Sequence, residues 1–149
     1  DPTRLGVDRW LAIVGAVHRY GKPVVVWDLG TATTLDAVDG SGRHLGGWIL
    51  PGPTTMLESL DRQTTLRAPL QPGPLGALEP GLNTADAIQG GVLAAQVGAL
   101  QRFLGQLADR IGQHPRLIVT GGAAPLVTPM LDVEFIADPW LVFRGMALV

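Results

Sequence analysis

The 149-residue chain contains no cysteine. This excludes a disulfide-stapled scaffold and a thiolate zinc site, and it fits the cytoplasmic location that we expect. There is no basic excess: 11 lysines and arginines stand against 13 acidic residues, a net charge of −2. Nucleic acid is therefore not an expected partner, because neutralising a phosphate backbone takes a basic surface. No apolar run approaches the roughly 20 residues that span a bilayer. No charged segment followed by an apolar stretch opens the chain, so no membrane association is expected. The three histidines, His18, His44 and His114, share no metal-ligand spacing. A Walker A loop and a nucleophile elbow are both missing. Asp1-Pro2-Thr3 replaces a starting methionine and reads as the interior of something longer.

What is present is apolar. Hydrophobic residues make up 46% of the chain and the mean hydropathy is +0.26, ample for one packed domain. Gly6 to Tyr20 has helical spacing at Leu11, Val14 and Val17, with Asp8 placed to cap its start. Val24–Asp28 is a continuous apolar strand of the kind covered on both faces. Thr33–Val38 and His44–Leu50 follow after short turns, giving a meander. Thr54–Asp61 predicts a short helix and Arg67–Pro80 a loop rich in proline and glycine. Asn83–Gly112 predicts one long helix capped by Asn83, with a core stripe of Leu93, Val97, Leu100, Leu104, Leu107 and Ile111. Gly91, Gly98, Gly105 and Gly112 recur on another face, where either a neighbouring helix of the same chain or a second subunit would gain close approach. Leu117–Thr120 and Val133–Ile136 are strands, Ala123–Met130 a short helix and Trp140–Val149 a terminal helix. A meander followed by alternating helices and strands implies an α/β fold, a mixed sheet with helices on both faces.

Four stretches could carry chemistry. In Asp28-Leu29-Gly30-Thr31-Ala32-Thr33, a carboxylate ends a buried strand beside a tight turn. Amides from Gly30 to Thr33 facing one concavity would bind an anion, and Asp28 would hold a cation that neutralises a polyphosphate. The alternative is a hairpin whose polar side chains satisfy their own backbone; Asp36, further from the turn, reads as structural. In Gly6-Val7-Asp8-Arg9, either the acid and base form a cap and a surface ion pair, or Asp8 accepts a hydroxyl proton while Arg9 binds an anionic group. Thr120-Gly121-Gly122-Ala123 is either a packing turn or a place for a flat ligand against bare backbone. Glycines within Leu45–Gly52 mark a close backbone approach or a bulge.

Taken in order, Leu5-Gly6-Val7-Asp8-Arg9-Trp10, Asp28-Leu29-Gly30-Thr31-Ala32-Thr33-Thr34-Leu35-Asp36, Gly46-Gly47-Trp48-Ile49-Leu50-Pro51-Gly52, Asn83-Thr84, Thr120-Gly121-Gly122 and Leu141-Val142-Phe143-Arg144-Gly145-Met146-Ala147 strongly resemble type III pantothenate kinases, the Bvg accessory factor family. The resemblance covers essentially the whole chain. It implies a ribonuclease-H-like lobe of the actin, sugar kinase and Hsp70 ATPase superfamily. It also implies transfer of the ATP γ-phosphate to pantothenate at the opening of coenzyme A synthesis. A monovalent cation, potassium or ammonium, would be required, Mg2+ would accompany ATP, and a homodimer is the common state. Under the resemblance Asp8 is the proton acceptor, and Gly6, Val7, Asp8, Arg9 and Thr84 bind pantothenate. Gly30, Thr31, Gly121 and Gly122 face ATP, and Asp28 holds the monovalent cation. The family's first lobe opens with an Asp-x-Gly-Asn-Thr phosphate loop, which this sequence does not contain. The chain therefore resembles the second, C-terminal lobe with the first absent, and little activity is expected of it alone. A related small-molecule kinase, or a non-catalytic accessory or remnant domain of the same fold, are the competing readings.

Overall fold

The computed structural model describes residues 5–63, 78–111 and 114–149. Helix α1 (Val7–Tyr20) leads into strands β1 (Val24–Leu29), β2 (Ala32–Val38) and β3 (His44–Pro51), then helix α2 (Pro53–Gln63). The long helix α3 (Thr84–Ile111) precedes β4 (Arg116–Thr120). A short helix α4 (Ala124–Val127) runs into a 3-10 turn at Thr128–Met130, followed by β5 (Ile136–Ala137) and α5 (Leu141–Met146). One five-stranded sheet has the order β3-β2-β1-β4-β5. The meander β1–β2–β3 is antiparallel, while β4 joins β1, and β5 joins β4, in parallel.

Strand parity builds two cores. Val24 and Val26 point to one face, where Ala12, Ile13 and Ala16 of α1 meet Val38, Ile118 and Leu141. Val25, Trp27 and Leu29 point to the other, against Leu93, Val97, Leu100, Phe103 and Leu107 of α3. β1 is central and covered on both sides, which is why it reads as an unbroken apolar run. Each fully buried large side chain in these cores contributes about 1.5–3 kcal/mol of transfer free energy. Helices α1 and α5 approach to backbone contact. A Cβ on Gly145 would lie 2.7 Å from the Leu11 carbonyl carbon, and one on Gly15 would lie 3.0 Å from the Gly145 nitrogen. The same two helices are tied by Asp138, which is only 3% exposed. It accepts hydrogen bonds from the Tyr20 hydroxyl at 2.8 Å and from Arg144 Nε at 2.8 Å. Burial alone would push the Asp138 carboxyl up, but these donors and the Trp140 amide outweigh it and hold the carboxyl below its ordinary value.

Several sequence expectations need correction. Asp8 does not cap α1: the cap residue is Gly6, with no side-chain cap bond, and Asp8 already lies inside the first turn. Val133–Phe135 lie outside the last strand, because only Ile136 and Ala137 pair with Ile118 and Val119. The terminal helix is shorter than Trp140–Val149, spanning Leu141–Met146. Among the described residues, a Cβ at Gly91, Gly98 or Gly105 would meet nothing within 4 Å, so the stripe packs against no described element. Gly112, and the expected loop from Arg67 through residue 77, lie outside the described residues. The Asn83 cap is present: Asn83 Oδ1 accepts the Asp86 amide at 3.0 Å, and Asn83 Nδ2 donates to Asp86 Oδ2 at 2.7 Å. No helix among the described residues is long and apolar enough to cross a membrane.

Candidate active site

The chemistry-bearing residues gather where β1 and β4 end and β2 begins. Cross-strand partners share a face, and the register pairs Asp28 with Thr34 and with Thr120, and Asp36 with Val26. Asp28 and Asp36 therefore both point to the α1 side of the sheet. Because α1 runs antiparallel to β1, its first turn, with Asp8 and Arg9, lies over this same end.

Asp28 is half-buried, and its carboxylate has no cation or hydrogen-bond donor beside it among the described residues. Burial first, and then the negative charge of nearby Asp8, push its carboxyl above the ordinary range. Two acids from separate elements are thus electrostatically coupled at one end of the sheet. A partly desolvated carboxylate in the field of a second one is a donor suited to a single cation. Among the described residues no cluster of three or more His, Cys, Asp or Glu could hold a metal ion.

The turn after β1 is built by close backbone contact. The Gly30 amide donates to the Ala32 carbonyl at 3.1 Å, so it is spent within the turn and is not part of an open amide nest. Thr31 stands exposed at the tip. Its carbonyl accepts from the Gly52 amide at 2.8 Å and from Thr55 Oγ1 at 2.7 Å. Only glycine fits at position 52, where a Cβ would lie 2.8 Å from the Thr31 oxygen and 3.0 Å from the Gly30 carbonyl carbon. Behind the turn, Thr33 Oγ1 donates to Gln96 Oε1 at 2.7 Å and Gln96 Nε2 donates to the Pro51 carbonyl at 2.9 Å, so α3 braces the turn from the other face.

The loop after β4 is stapled to the same place. The Ala123 amide donates to the Leu29 carbonyl at 2.9 Å. Gly121 has φ +97°, and a Cβ there would lie 2.6 Å from Asp28 Oδ1. Gly122 is exposed, with nothing within 4 Å of its Cβ position.

Arg9 does not pair with its neighbour Asp8. Its Nε donates to Asp36 Oδ2 at 2.8 Å and its Nη2 to Asp36 Oδ1 at 2.6 Å, a side-on fork. The Asp36 hydrogen bond, aided by its charge and opposed by burial, raises the guanidinium pKa further. His44 Nε2 stands 2.7 Å from the same Oδ1. Asp36, expected to be structural, is a buried acid paired with Arg9 and His44. Counting two by two back from the turn would have put it on the face of Asp28, where a buried acid needs a cation.

The structure thus brings together Gly6, Val7, Asp8, Arg9, Asp28, Gly30, Thr31, Gly121 and Gly122 at one end of the sheet. Thr84 belongs to the other layer. It begins α3, beside a surface groove of about 620 Å³ that includes Met56, Ile88 and Val92. A cleft of about 560 Å³ lined by Leu104, His114, Leu117 and Glu134 sits at the amino end of β4, far from Asp28.

A parallel strand pair flanked by an antiparallel meander, with acids at the carboxyl end of β1, defines a mixed-sheet α/β lobe with an acidic end. A family profile for type III pantothenate kinase matches residues 1–106. The type III pantothenate kinase of Polaromonas sp. is 40% identical over 151 residues, covering 97% of this chain and 58% of that protein. That of Azoarcus sp. is 41% identical over 149 residues, covering 99% of this chain and 54% of that protein. Among solved structures, one described as a Baf family transcriptional activator from Campylobacter jejuni superposes with a TM-score of 0.61 at 26% identity, covering 97% of this chain and 63% of that one. The activator of 2-hydroxyisocaproyl-CoA dehydratase from Clostridium difficile, solved with bound ADPNP, has a TM-score of 0.51 at 12% identity, covering 95% of this chain and 64% of that one, a likeness of fold alone. The chain belongs to the type III pantothenate kinase family, and it spans little more than half the length of these curated relatives.

Proposed function

We propose that this chain is the second lobe of a kinase that phosphorylates pantothenate, with Asp8 as the proton acceptor. The observation that carries the reading is the coupling of Asp8 and Asp28 at the carboxyl end of the sheet, with Arg9 fixed beside them. As the substrate's primary hydroxyl oxygen bonds to the γ-phosphorus of ATP, Asp8 takes the hydroxyl proton. The bond from that phosphorus to the β,γ-bridging oxygen breaks, and ADP leaves. A loose transition state asks little basicity of Asp8, so positioning and charge neutralisation carry most of the rate. Gly6, Val7 and Arg9 bind pantothenate, Arg9 receiving its anionic end. Thr31 touches phosphate across the turn that Gly52 and Thr55 hold, and Gly121 and Gly122 present bare backbone to the adenosine. Bound potassium or ammonium at Asp28, with Mg2+ on the nucleotide, would supply positive charge against the phosphates. The phosphate loop must come from a first lobe, since no Asp-x-Gly-Asn-Thr occurs here.

The state we propose is a homodimer. Thr84 lies on the layer opposite Asp8, so it would meet pantothenate held by a second copy, and the open glycine face of α3 allows close approach. The deciding experiment is Asp8→Asn in the complete two-lobe protein. Turnover of pantothenate should fall by about 10²–10⁴, the usual worth of a positioned base. Turnover within about twofold of the parent would remove Asp8 from the mechanism.

A further inference from the structure

Asp36 takes no direct part in the proposed chemistry, yet it is the most heavily engaged carboxylate near it. It is 2% exposed and receives both arms of Arg9 and one nitrogen of His44. A Cβ on Gly47 would overlap the Leu35 carbonyl oxygen and Asp36 Oδ1 and lie 2.6 Å from Arg9 Nη2, so glycine there clears the strand backbone first and leaves room for the fork as well. Stability is a weak reason for such an arrangement, since a buried ion pair is often no better than apolar residues of the same volume. Its geometric effect is definite. With Nε and Nη2 engaged, Arg9 keeps the two N–H groups of Nη1 and one of Nη2 for another acceptor. The pair is neutral overall, so what Arg9 offers a ligand is direction more than net charge.

We propose that Asp36 is a positioning residue: it fixes the Arg9 guanidinium before substrate arrives, so that the Nη1 edge receives the substrate's carboxylate in register with Asp8. The inference rests on the reading of Arg9 as the group that binds the anionic end of pantothenate. Arginine is a rotamer-rich side chain, and a fork formed in advance spares the substrate the entropic cost of ordering it. His44 and Gly47 complete the device, one holding Oδ1 in place and the other leaving space.

The test compares pantothenate with its primary-amide analogue, whose corresponding end is neutral, in the complete two-lobe protein. The parent should prefer the carboxylate. Arg9→Lys and Asp36→Asn should each lose roughly 10- to 100-fold of that preference, mainly through KM for pantothenate, with KM for ATP nearly unmoved. If Arg9→Lys loses the preference and Asp36→Asn keeps it, or lowers kcat for both substrates alike, Asp36 is structural and the proposal fails while the reading of Arg9 stands. If Arg9→Lys itself keeps the preference, both fail. Should Asp36→Asn not fold, the Arg9 Nε–H resonance of the parent decides, identified by its absence in Arg9→Lys. Slow exchange without substrate supports the proposal; exchange as fast as in exposed arginines overturns it.

Discussion

Gly145→Ala tests the contact that seats the site. Helix α1 carries Asp8 and Arg9 in its first turn, and its placement on the sheet is set partly by backbone contact with α5. An alanine Cβ at 145 would lie 2.7 Å from the Leu11 carbonyl carbon, 3.0 Å from Leu11 Cα and closer still to the Leu11 oxygen. Carbon atoms settle at about 3.5–4.0 Å, so the helices must part by roughly 1 Å. The obstacle is backbone, which cannot rotate aside as a side chain would. Overpacking costs about 1–3 kcal/mol, and this case belongs at the upper end. Alanine recovers about 1 kcal/mol of helix propensity over glycine, leaving a net loss of about 2 kcal/mol. Urea unfolding followed by circular dichroism reads this as a lower midpoint at unchanged slope. In the complete protein, a 1 Å displacement of Asp8 and Arg9 should also lower turnover by about 10²-fold. A stability loss below about 0.5 kcal/mol, the range of an indifferent surface change, would refute the claim that the α1–α5 contact is tight.

Gly98→Ala should behave in the opposite way. No described residue lies within 4 Å of the added Cβ, so the single chain should gain about 0.5–1 kcal/mol, read as a higher unfolding midpoint at low protein concentration. If the open face of α3 meets a second copy as proposed, the same change raises the dimer dissociation constant; sedimentation showing an unaltered constant would remove the stripe from the interface. Asp28→Asn should change the pH dependence of stability. Burial first and Asp8 second raise the folded carboxyl above its ordinary 3.8, so its contribution is full below that value and is lost as pH rises through the folded one. The asparagine variant should therefore be more stable than the parent near neutrality, with the gap closing toward acid pH. A gap that stays constant across a urea–pH series would contradict the linkage.

The mixed fold and the order of its elements were legible in the sequence, because they follow from local patterns. An unbroken apolar run at Val24–Asp28, short turns after it and a long four-and-three stripe in α3 each imply their element. The capping asparagine at 83 was equally legible. Boundaries at the edges were less so, because pairing decides them: Val133–Phe135 have strand-like residues, but only Ile136 and Ala137 find partners on β4. The motif residues Asp8, Arg9, Asp28 and Gly121 could be nominated from type and spacing, yet spacing along a chain does not say which side chains meet.

That meeting was decided by tertiary structure. Sheet register put Asp28 and Asp36 on one face, and the antiparallel run of α1 carried Asp8 and Arg9 to it. Arg9 chose Asp36, 27 residues away, over the acid beside it. The physical reason is that adjacent helical residues point apart, while a buried carboxylate on a strand needs a donor from whatever packs above it. Thr84 belongs instead to α3, the helix that covers the face opposite α1. The sequence determined which groups the chain possesses and which elements carry them; the packing of α1, the sheet and α3 determined which of those groups share a site.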